Sequence, residues 1–533
     1  MNIMLREEIK KLVQKAIKKI YKGKNFPESK LPDIKIEYPE IMKVYGDRST
    51  TVAMQIAKIT NENPEKIANT IKVNTEAQKS KIIKKVEIAK PGFVNFFLEQ
   101  EYLQKQVREI LKQGGKFGQL KLGKNKKIQV EFISANPTGP LTVGNARGGP
   151  FGDALGNILK KAGFKVEKAY YINDYGMQIL TLGHSVLKDS EAEYRGAYID
   201  DLAKKIKEKD PYKAGEKAAE ILVKMIKKTT ERMDIKYDEW ISEKKLHKLK
   251  TADKVLEFLK KKKLIYEKEG ALWFKSSNFG DERDRVLVKS DGWKTYLAGD
   301  IALHQYKFKN RKFDKVINIW GADHYGDVPG LQAGVSALGF KGKLDIILLQ
   351  FVTLFEEGRE LKMSKRLGTF VTMDELLEMV GNDAVRFFFL QKSTSTHLNF
   401  DLKLAKEQSE KNPVYYIQYA NARIHSILAK SKIQKQKSKN DHRLLSHPSE
   451  LNLIKQLIRF PEIIEDTTKD YQVQRIPQYA LDLATAFHRF YCDCRVLSDD
   501  KKMSQARLSL VLASKIVLEN TLDLMGVSAP KKM

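Results

Sequence analysis

Cysteine is almost absent from this 533-residue chain, and so is any long apolar run. The two cysteines, Cys492 and Cys494, lie one residue apart, too close for an ordinary disulfide and too few for a zinc site. No stretch approaches the ~20 apolar residues that span a bilayer, and the first residues lack the apolar centre of a signal peptide. These shortages argue against a disulfide scaffold and a membrane protein, and we expect a cytoplasmic protein in a reducing compartment.

Acidic residues are also in short supply. The sequence holds 67 Asp and Glu against 96 Lys and Arg, a formal net charge of +29. A surplus of this size favours a strongly negative partner with a long surface, and nucleic acid is the leading candidate. A lysine-rich composition that merely keeps the protein in solution explains the charge equally well, so the motifs must decide.

The length predicts roughly three or four structural units, in a multidomain α/β protein. Residues 1–115 combine a basic amphipathic helix with strand-like segments and indicate a small α+β N-terminal domain. From residue 116 to 405, apolar strands alternate with helices, and the predicted strands are IQVEFIS, VEKAYYIN, KVINIWG and LDIILLQFV. This alternation is typical of a doubly wound parallel sheet (Rossmann-like) that binds ligands beyond its strands' carboxyl ends. We interpret about 190–290 as a lysine-rich helical insertion that ends in the strand-like segments ALWFKSS and RVLVKSDG. Residues 406–533 show only helical spacing and predict an all-α C-terminal bundle.

The segment ANPTGPLTVGNARGG, residues 135–149, joins an apolar strand to a helix. Gly144 would let a flat ligand lie against the backbone, and the free N–H groups of the helix start favour phosphate. The segment therefore predicts a nucleotide pocket, although plain packing turns of this type are common.

A second segment, RELKMSKRLGTFVTMDELLEMVG, places three cations on one loop. Thr372 and Glu375 have the spacing of a capping box for the following helix, so Lys362, Lys365 and Arg366 belong to the loop before it. Such a cluster is often only a solvated surface, but cations on a loop can also close over a triphosphate and stabilise the leaving pyrophosphate. The transferred group would then be the nucleotide.

These two segments carry a resemblance to a known family. KMSK at 362–365 is the second signature of class I aminoacyl-tRNA synthetases, and LTVGNARG occupies the place of their first, usually written His-x-Gly-His. Over nearly its whole length the chain resembles the arginyl-tRNA synthetases more specifically. The similar segments are GDRSTTVAMQIAK, VEFISANPTGPLTVGNARGGPFGDALG, YYINDYG, TYLAGDIALH, WGADHYGDVPGLQA, KMSKRLGTFVTMDELLEMVGNDAVRFFFL, NPVYYIQYANARI and LMGVSAPKKM.

The resemblance implies ATP-dependent activation of L-arginine to arginyl-adenylate, and then transfer to the 3′ end of tRNA(Arg). The chain would have a tRNA-binding N-terminal module, a catalytic domain and an anticodon-binding bundle. We expect Mg²⁺ to be carried on the phosphates of ATP, because no protein cage for a metal is visible in the sequence. We also expect a monomer, and the family typically needs bound tRNA before it activates arginine.

A selective pocket for arginine should offer carboxylates to the planar guanidinium and an aromatic face. The resemblance implies Glu131, Tyr296 and Asp300 for these roles, and Ser134 and Asn136 for the amino and carboxylate ends of the substrate. Two carboxylates would also reject lysine by geometry, and a neutral amino acid would leave them unpaired. Each residue also has an ordinary alternative: a salt bridge for Glu131, packing for Tyr296 and a helix cap for Asp300.

The same resemblance implies the residues of catalysis and ATP binding. The catalytic set is Thr142, Gly144, Asn145, Lys362, Ser364 and Lys365, and the ATP-binding set is Thr142, Gly144, Asn145, Asp323, His324, Met363 and Lys365. The alternative for a lone histidine such as His324 is a core role. YYINDYGMQ is expected to line the substrate side of the sheet through Asn173, Asp174 and Gln178, with loop capping as the alternative.

Both histidines of the first family signature are replaced, by Thr142 and Asn145. Their implied task, donating hydrogen bonds to phosphate in the transition state, needs a donor but not a titrating one. A neutral amide gives a weaker bond than an imidazolium, which predicts slower activation or a flatter pH dependence. One alternative is therefore a tRNA-binding paralogue with impaired adenylation. The other is a ligase or nucleotidyltransferase with a small-molecule acceptor, which the long basic C-terminus argues against.

For the C-terminal bundle the resemblance implies anticodon reading, by stacking of unpaired bases on aromatic side chains. The candidate contacts are Tyr415, Tyr419 and Arg495, with similar chemistry at Tyr416, His488 and Tyr491, although some of these aromatics must form core.

The resemblance also implies that the N-terminal module contacts the tRNA elbow. There, Phe93 and Asn95 either face a base or belong to a buried strand. Arg48 and Thr51 depart from the aromatic and asparagine expected at their positions, which predicts different detailed contacts for this module.

Overall fold

The computed structural model describes residues 4–21, 31–39, 46–361, 371–431 and 441–533. It contains a small α+β unit, an α/β unit built on a parallel sheet, and a bundle of helices, so the multidomain α/β class predicted from the sequence is confirmed. Among the described residues, no helix combines the length and apolar character needed to cross a bilayer.

The N-terminal unit packs helices against an antiparallel sheet of strand order β1–β3–β2. Its elements are α1 (Leu5–Tyr21), β1 (Arg48–Thr50), α2 (Val52–Thr60), α3 (Pro64–Glu76), β2 (Ile83–Ala89), β3 (Phe93–Leu98) and α4 (Gln100–Gln113). The predicted amphipathic helix buries Ile9 and Ile17 completely. Asn95 is buried in the central strand β3, so of the two interpretations of this residue the buried strand is correct.

The α/β unit alternates strands and helices. Its elements are β4 (Lys127–Glu131), α5 (Val143–Ala146), α6 (Gly148–Lys161), β5 (Lys165–Ile172), α7 (Met177–Leu187), α8 (Ala197–Lys205), α9 (Pro211–Arg232), β6 (Glu239–Ser242), α10 (Glu243–Lys248), α11 (Thr251–Lys261), β7 (Ile265–Lys268), β8 (Ala271–Phe274), β9 (Arg285–Val288), α12 (Tyr296–Gln305), a π-helical turn (Tyr306–Asn310), β10 (Lys315–Gly321), a 3₁₀ segment (Ala322–Asp327), α13 (Val328–Ala337), β11 (Leu344–Leu349), β12 (Val352–Glu356), β13 (Arg359–Glu360), α14 (Met373–Val380), α15 (Asn382–Gln391), β14 (Leu398–Asp401) and α16 (Leu402–Lys406).

Five parallel strands form the central sheet in the order β11–β10–β4–β5–β6. The strands β5 and β6 lie on one side of β4, and the later strands β10 and β11 lie on its other side. The connections that leave β4 and β10 therefore run in opposite directions and open a crevice between them. This switch point lies where the sequence predicts the ligand.

The predicted strands agree with the structure, with two differences. The apolar run LDIILLQFV is divided between β11 and β12, which belong to different sheets, and Gln350 lies between them. The strand β6, which forms one edge of the central sheet, lacks a strong apolar signal. The strands predicted at the end of the insertion are β8 and β9, and with β7 they form an antiparallel sheet.

The C-terminal bundle packs against the α/β unit. Its helices are α17 (Pro413–Lys430), α18 (Pro448–Leu457), α19 (Phe460–Asp470), α20 (Arg475–Asp493) and α21 (Lys501–Met525). A fully buried guanidinium connects the two units, because Arg386 donates to the carbonyl oxygens of Met525 and Met233, each at 2.7 Å, and pairs with Asp153. Asp153 also binds Lys168 at 2.5 Å, so one carboxylate joins two buried cations.

Candidate active site

A cavity of about 510 Å³ opens at the switch point, beyond the carboxyl ends of β4 and β10. Its wall contains all five residues predicted to bind arginine, together with several of the other predicted site residues. These wall residues are Glu131, Ser134, Asn136, Tyr296, Asp300, Asn173, Gln178 and His324. The structure therefore brings together side chains that lie far apart in the sequence.

The backbone between β4 and α5 is bent sharply by two residues in the left-handed region. Ile133 has φ of +66° and Ser134 has φ of +42°. A β-branched residue rarely adopts this conformation, and such strain concentrates at functional sites. The bend places the Ser134 hydroxyl where it accepts a hydrogen bond from the backbone N–H of Tyr171 at 3.0 Å.

Three tyrosine hydroxyls hold the bent segment in place. They come from different elements of the α/β unit, and each donates to a backbone carbonyl of the segment. The pairs are Tyr237 to Phe132 at 3.2 Å, Tyr170 to Ala135 at 2.8 Å and Tyr198 to Thr138 at 3.1 Å. The strained loop is thus fixed before any ligand binds, which favours a preorganised site.

Helix α12 supplies two of the predicted arginine contacts. Tyr296 is its first residue and Asp300 follows one turn later, so both side chains lie on one helix face. Asp300 lies inside the helix, which rules out the alternative role of N-cap. Tyr296 is 68% exposed, which rules out the alternative of packing and leaves its ring at the cavity wall.

Glu131 ends β4 in a buried ion pair. Its Oε2 atom lies 2.6 Å from Nζ of Lys307, which comes from the π-helical turn after α12 and has no solvent exposure. The salt bridge that the sequence offers as an alternative role for Glu131 is therefore present. Glu131 also lines the cavity, so the same carboxyl group both pairs with Lys307 and faces the space for a ligand.

Two further carboxyl groups of the cavity wall resist ionisation. Burial, followed by the charges of Glu131 and Glu243, raises the pKa of Asp300 to about 8. Burial raises the pKa of Glu243 to about 7, and the charge of Asp174 adds to this shift. At neutral pH these carboxyl groups are therefore partly protonated. Binding of a cation in the cavity would release the protons.

His304 is neutral in this setting. Burial lowers its pKa to about 3, and the nearby ammonium of Lys307 contributes. Its Nδ1–H donates to the backbone carbonyl of Asp300 at 2.7 Å, while Nε2 accepts from the Asn318 amide at 2.9 Å. The Asn318 side-chain oxygen is buried without a hydrogen-bond partner in the cavity wall.

The first signature forms the helix start after the bent segment. Thr142 is the N-cap of α5, and its hydroxyl accepts from the backbone N–H of Asn145 at 3.4 Å and donates to Asn145 Oδ1 at 2.8 Å. Asn145 is exposed, and its Nδ2 group donates to no other described residue. A Cβ atom at Gly144 would meet no atom of the described residues within 4 Å, so on that side its surface is open to a ligand.

Backbone hydrogen bonds join the first signature to the residues that follow the second signature, KMSK. Val143 N–H donates to the carbonyl of Val371 at 3.2 Å, and Met373 N–H donates to the carbonyl of Leu141 at 2.8 Å. The predicted capping box of Thr372 and Glu375 is confirmed. The KMSK candidates Lys362, Met363, Ser364 and Lys365 lie outside the described residues.

Comparison with known proteins decides the family. The model described as "tRNA synthetases class I (R), catalytic domain" matches residues 106–210 and 197–403. The models "Arginyl tRNA synthetase N terminal domain" and "DALR anticodon binding domain" match residues 7–98 and 417–533. A protein named arginine–tRNA ligase from Caldanaerobacter subterraneus subsp. tengcongensis is 43% identical over 99% of both chains. The chain belongs to the arginyl-tRNA synthetase family.

Other members of the arginyl-tRNA synthetase family agree with this placement. The arginine–tRNA ligase of Bacillus subtilis is 41% identical over 100% of this chain and 99% of its own. A crystal structure titled putative arginyl-tRNA synthetase from Campylobacter jejuni has 36% identity and a TM-score of 0.74, and covers 82% of this chain and all of its own. The Thermus thermophilus arginyl-tRNA synthetase shares the fold at 22% identity, with a TM-score of 0.80 over 99% of this chain and all of its own.

Several residues of the predicted catalytic and substrate site lie outside the cavity wall: Thr142, Gly144 and Asn145 of the first signature, and also Asp174 and Asp323. Asp174 caps α10, because its carboxylate accepts from Ser242 Oγ at 2.7 Å and from the Lys244 N–H at 2.9 Å. This is the loop-capping alternative. Asp323 is exposed beside His324 in the 3₁₀ segment.

The bundle presents an aromatic cluster at the predicted tRNA-binding residues. Tyr415 and Tyr419 are nearly parallel with ring centroids 6.4 Å apart, and Tyr419 stacks on His488 at 5.8 Å. The guanidinium of Arg423 lies 4.9 Å from the Tyr419 ring centre and 4.7 Å from that of Tyr491. Arg495 is exposed and donates to the carbonyl of Leu497 instead.

Sequence reasoning missed Arg423 and Lys307. The sequence does indicate Arg423, because Tyr415, Tyr419 and Arg423 follow one another at four-residue spacing on one helix face. No local pattern indicates Lys307, since it pairs with Glu131 across 176 positions of the chain. No group of three or more His, Cys, Asp or Glu side chains within the described ranges could hold a metal ion.

Proposed function

We propose that the protein is an arginine–tRNA ligase. It activates L-arginine with ATP to arginyl-adenylate, releases pyrophosphate and transfers the arginyl group to the 3′ end of tRNA(Arg), as a step of translation. The observation that carries the proposal is the convergence of Glu131, Asp300 and Tyr296 on one cavity at the switch point of the sheet.

The arginine side chain would enter this cavity with its guanidinium between the carboxylates of Glu131 and Asp300. A permanently charged, planar group suits two carboxylates better than an ammonium does, because its fork can bond both at once. Tyr296 would offer its ring at the entrance, and Ser134 and Asn136 would hold the amino and carboxylate ends. Unpaired carboxylates would disfavour an uncharged amino acid.

ATP would bind at the first signature. The open surface of Gly144 accepts a flat group, and the Asn145 amide is free to donate to a phosphate oxygen. The hydroxyl of Thr142 donates to Asn145 Oδ1. Thr142 would therefore orient the Asn145 side-chain amide toward the nucleotide. His324 and Asp323 would lie at the adenosine, and Mg²⁺ would be carried on the phosphates.

Lys362, Met363, Ser364 and Lys365 would act on the same nucleotide. Val371 follows them closely in the chain and is bonded to Val143 of the first signature, and this supports one shared site. In the reaction a carboxylate oxygen of arginine attacks the α-phosphorus and pyrophosphate leaves. A ribose hydroxyl of the tRNA then attacks the arginyl carbonyl, and AMP leaves.

The tRNA would bind along the basic surface and reach the bundle, where Tyr415 and Tyr419 would stack on unpaired bases. We assign Arg423, rather than Arg495, as the cation of this cluster, because it lies over the Tyr419 ring. We further propose a monomer in the cytoplasm.

Arginine-dependent pyrophosphate exchange, with and without tRNA(Arg), tests the proposal when it is followed by arginylation of the tRNA. We expect both activities from the unmodified protein and loss of both in Asp300→Asn. Asp291→Asn is the matched control, because this exposed aspartate lies on a turn in the same stretch. Absence of exchange despite tRNA binding, with restoration by Thr142→His/Asn145→His, would favour a tRNA-binding paralogue instead.

A further inference from the structure

The buried pair of Lys307 and Glu131 raises a question about charge. A pocket for a cation should be negative, yet a lysine with no solvent exposure lies 2.6 Å from one of its carboxylates. Burying an ammonium is costly, and an ion pair of this kind is often no more stable than apolar side chains of the same size. Its contact with a carboxylate of the cavity wall therefore raises the question of a role in binding.

Without Lys307, Glu131 would face mainly acids and neutral groups. Asp300 and the neutral His304 come from α12, Tyr171 from β5, Glu243 from α10, Tyr237 from the segment before β6, and Asn318 from β10. The other charged groups of the wall have partners elsewhere: Arg285 is paired with Asp281, and Asp327 with His324. Lys307 is thus the cation in contact with Glu131 among the described residues.

We propose that Lys307 is a positioning residue of the arginine pocket, which holds the Glu131 carboxylate aligned for the substrate guanidinium. The inference rests on the proposed function. The charge of Lys307 also lowers the pKa of Asp300, against the burial and the neighbouring carboxylates that raise it. The pair occupies Oε2 and leaves Oε1 for arginine.

The pairing also bears on specificity. The ammonium of a lysine substrate would approach Glu131, which is already paired with the ammonium of Lys307. The two ammonium groups would repel each other. A guanidinium can instead bridge Glu131 and Asp300 through separate N–H groups. Lys307 would therefore disfavour lysine.

Kinetics of Lys307→Met against pH test the proposal, with Lys309→Met as the matched control, since Lys309 is exposed on the same turn. We expect the KM for arginine to rise about tenfold or more at pH 7 and to approach the unmodified value at pH 9, where the Asp300 carboxyl group ionises. The KM for ATP and the affinity for tRNA should not change. Lys307→Gln, which retains a donor without charge, should behave similarly and supplies the test if the methionine variant does not fold.

A KM for arginine that is unchanged at pH 7, or raised equally at pH 7 and pH 9, would overturn the inference in favour of a purely structural lysine. This failure is distinct from that of the proposed function. An unmodified protein without arginine-dependent exchange would refute the function, whereas an active protein with a pH-insensitive Lys307→Met variant would refute only the role of Lys307.

Discussion

Arg48 and Glu462 form a buried ion pair between the N-terminal unit and the helical bundle. Arg48 Nη2 lies 2.8 Å from Glu462 Oε2, and the two side chains are 1% and 5% exposed. Arg6 joins the same acidic cluster through Asp466 at 2.5 Å. The departure of Arg48 from the aromatic residue expected at its position therefore has a structural reason: the side chain anchors one unit to the other.

Loss of the buried pair should weaken this anchoring. In Arg48→Met the buried Glu462 carboxylate keeps only the longer contact with Arg6 at 4.0 Å, and loss of a buried ion partner costs up to about 3–5 kcal/mol. We expect a lower midpoint of thermal unfolding and faster proteolytic release of the N-terminal unit. Lys105→Met, which removes an exposed pair with Glu101, should change the midpoint little. Equal effects of both substitutions would contradict the assignment.

Arginine binding should depend on pH through Asp300. Its pKa of about 8 means that the carboxyl group is mostly protonated at pH 7 and ionised at pH 9. The guanidinium needs the ionised form, so the KM for arginine should fall as pH rises from about 6.5 to 9. Calorimetric titration with arginine at pH 7, in two buffers of different ionisation enthalpy, should show proton release. Binding without proton exchange would contradict this prediction.

Asp300 should also lower the stability of the free protein. The folded pKa is raised above the ordinary value of 3.8, so between these two pH values the unfolded chain loses a proton that the folded chain keeps. Stability is therefore lost as pH rises toward 8. We expect the melting temperature of Asp300→Asn, relative to the unmodified protein, to increase from pH 5 to pH 8 and then to level off. A constant difference across this range would argue against the shift.

The Asn145 amide should act in catalysis and Thr142 in its orientation. Loss of one preorganised donor to a developing charge costs about 10²–10³ in kcat for oxyanion-type sites. We expect Asn145→Ala to reduce kcat for pyrophosphate exchange toward this range, with a small change in the KM for arginine. Thr142→Ser keeps the hydroxyl and should stay active, whereas Thr142→Val should lose activity. Equal activity of the serine and valine variants would show that the hydroxyl has no such role.

The aromatic cluster of the bundle should contribute to tRNA affinity. Stacking of a base on an aromatic ring is worth about 1–3 kcal/mol, so Tyr419→Ala should raise the Kd for tRNA(Arg) about 5- to 150-fold. Arg423→Ala should act in the same direction. Leu512→Ala, at an exposed apolar residue of the same bundle, is the control. Filter binding at several salt concentrations checks the result, and an unchanged Kd for both variants would exclude the cluster.

Local patterns account for the elements that the sequence predicted correctly. The capping box at Thr372 needs only residues three apart, and the helix periodicity of the bundle and the apolar strands of the sheet are similarly local. The break at Gln350 was missed because an apolar run does not reveal which sheet each half joins. The strand β6 was missed because it is short and lies at the sheet edge.

Composition and motifs alone determined the unit order, the parallel sheet and the predicted residues that line the cavity, since these depend on periodicity and on segments that resemble a family. The tertiary structure decided what those residues contact. In the folded chain Glu131 pairs with Lys307, Asp174 accepts hydrogen bonds at the start of α10, and Arg423 lies over the Tyr419 ring. Charge, burial and protonation depend on neighbours brought together by folding, and a one-dimensional pattern contains no information about which distant side chains will meet.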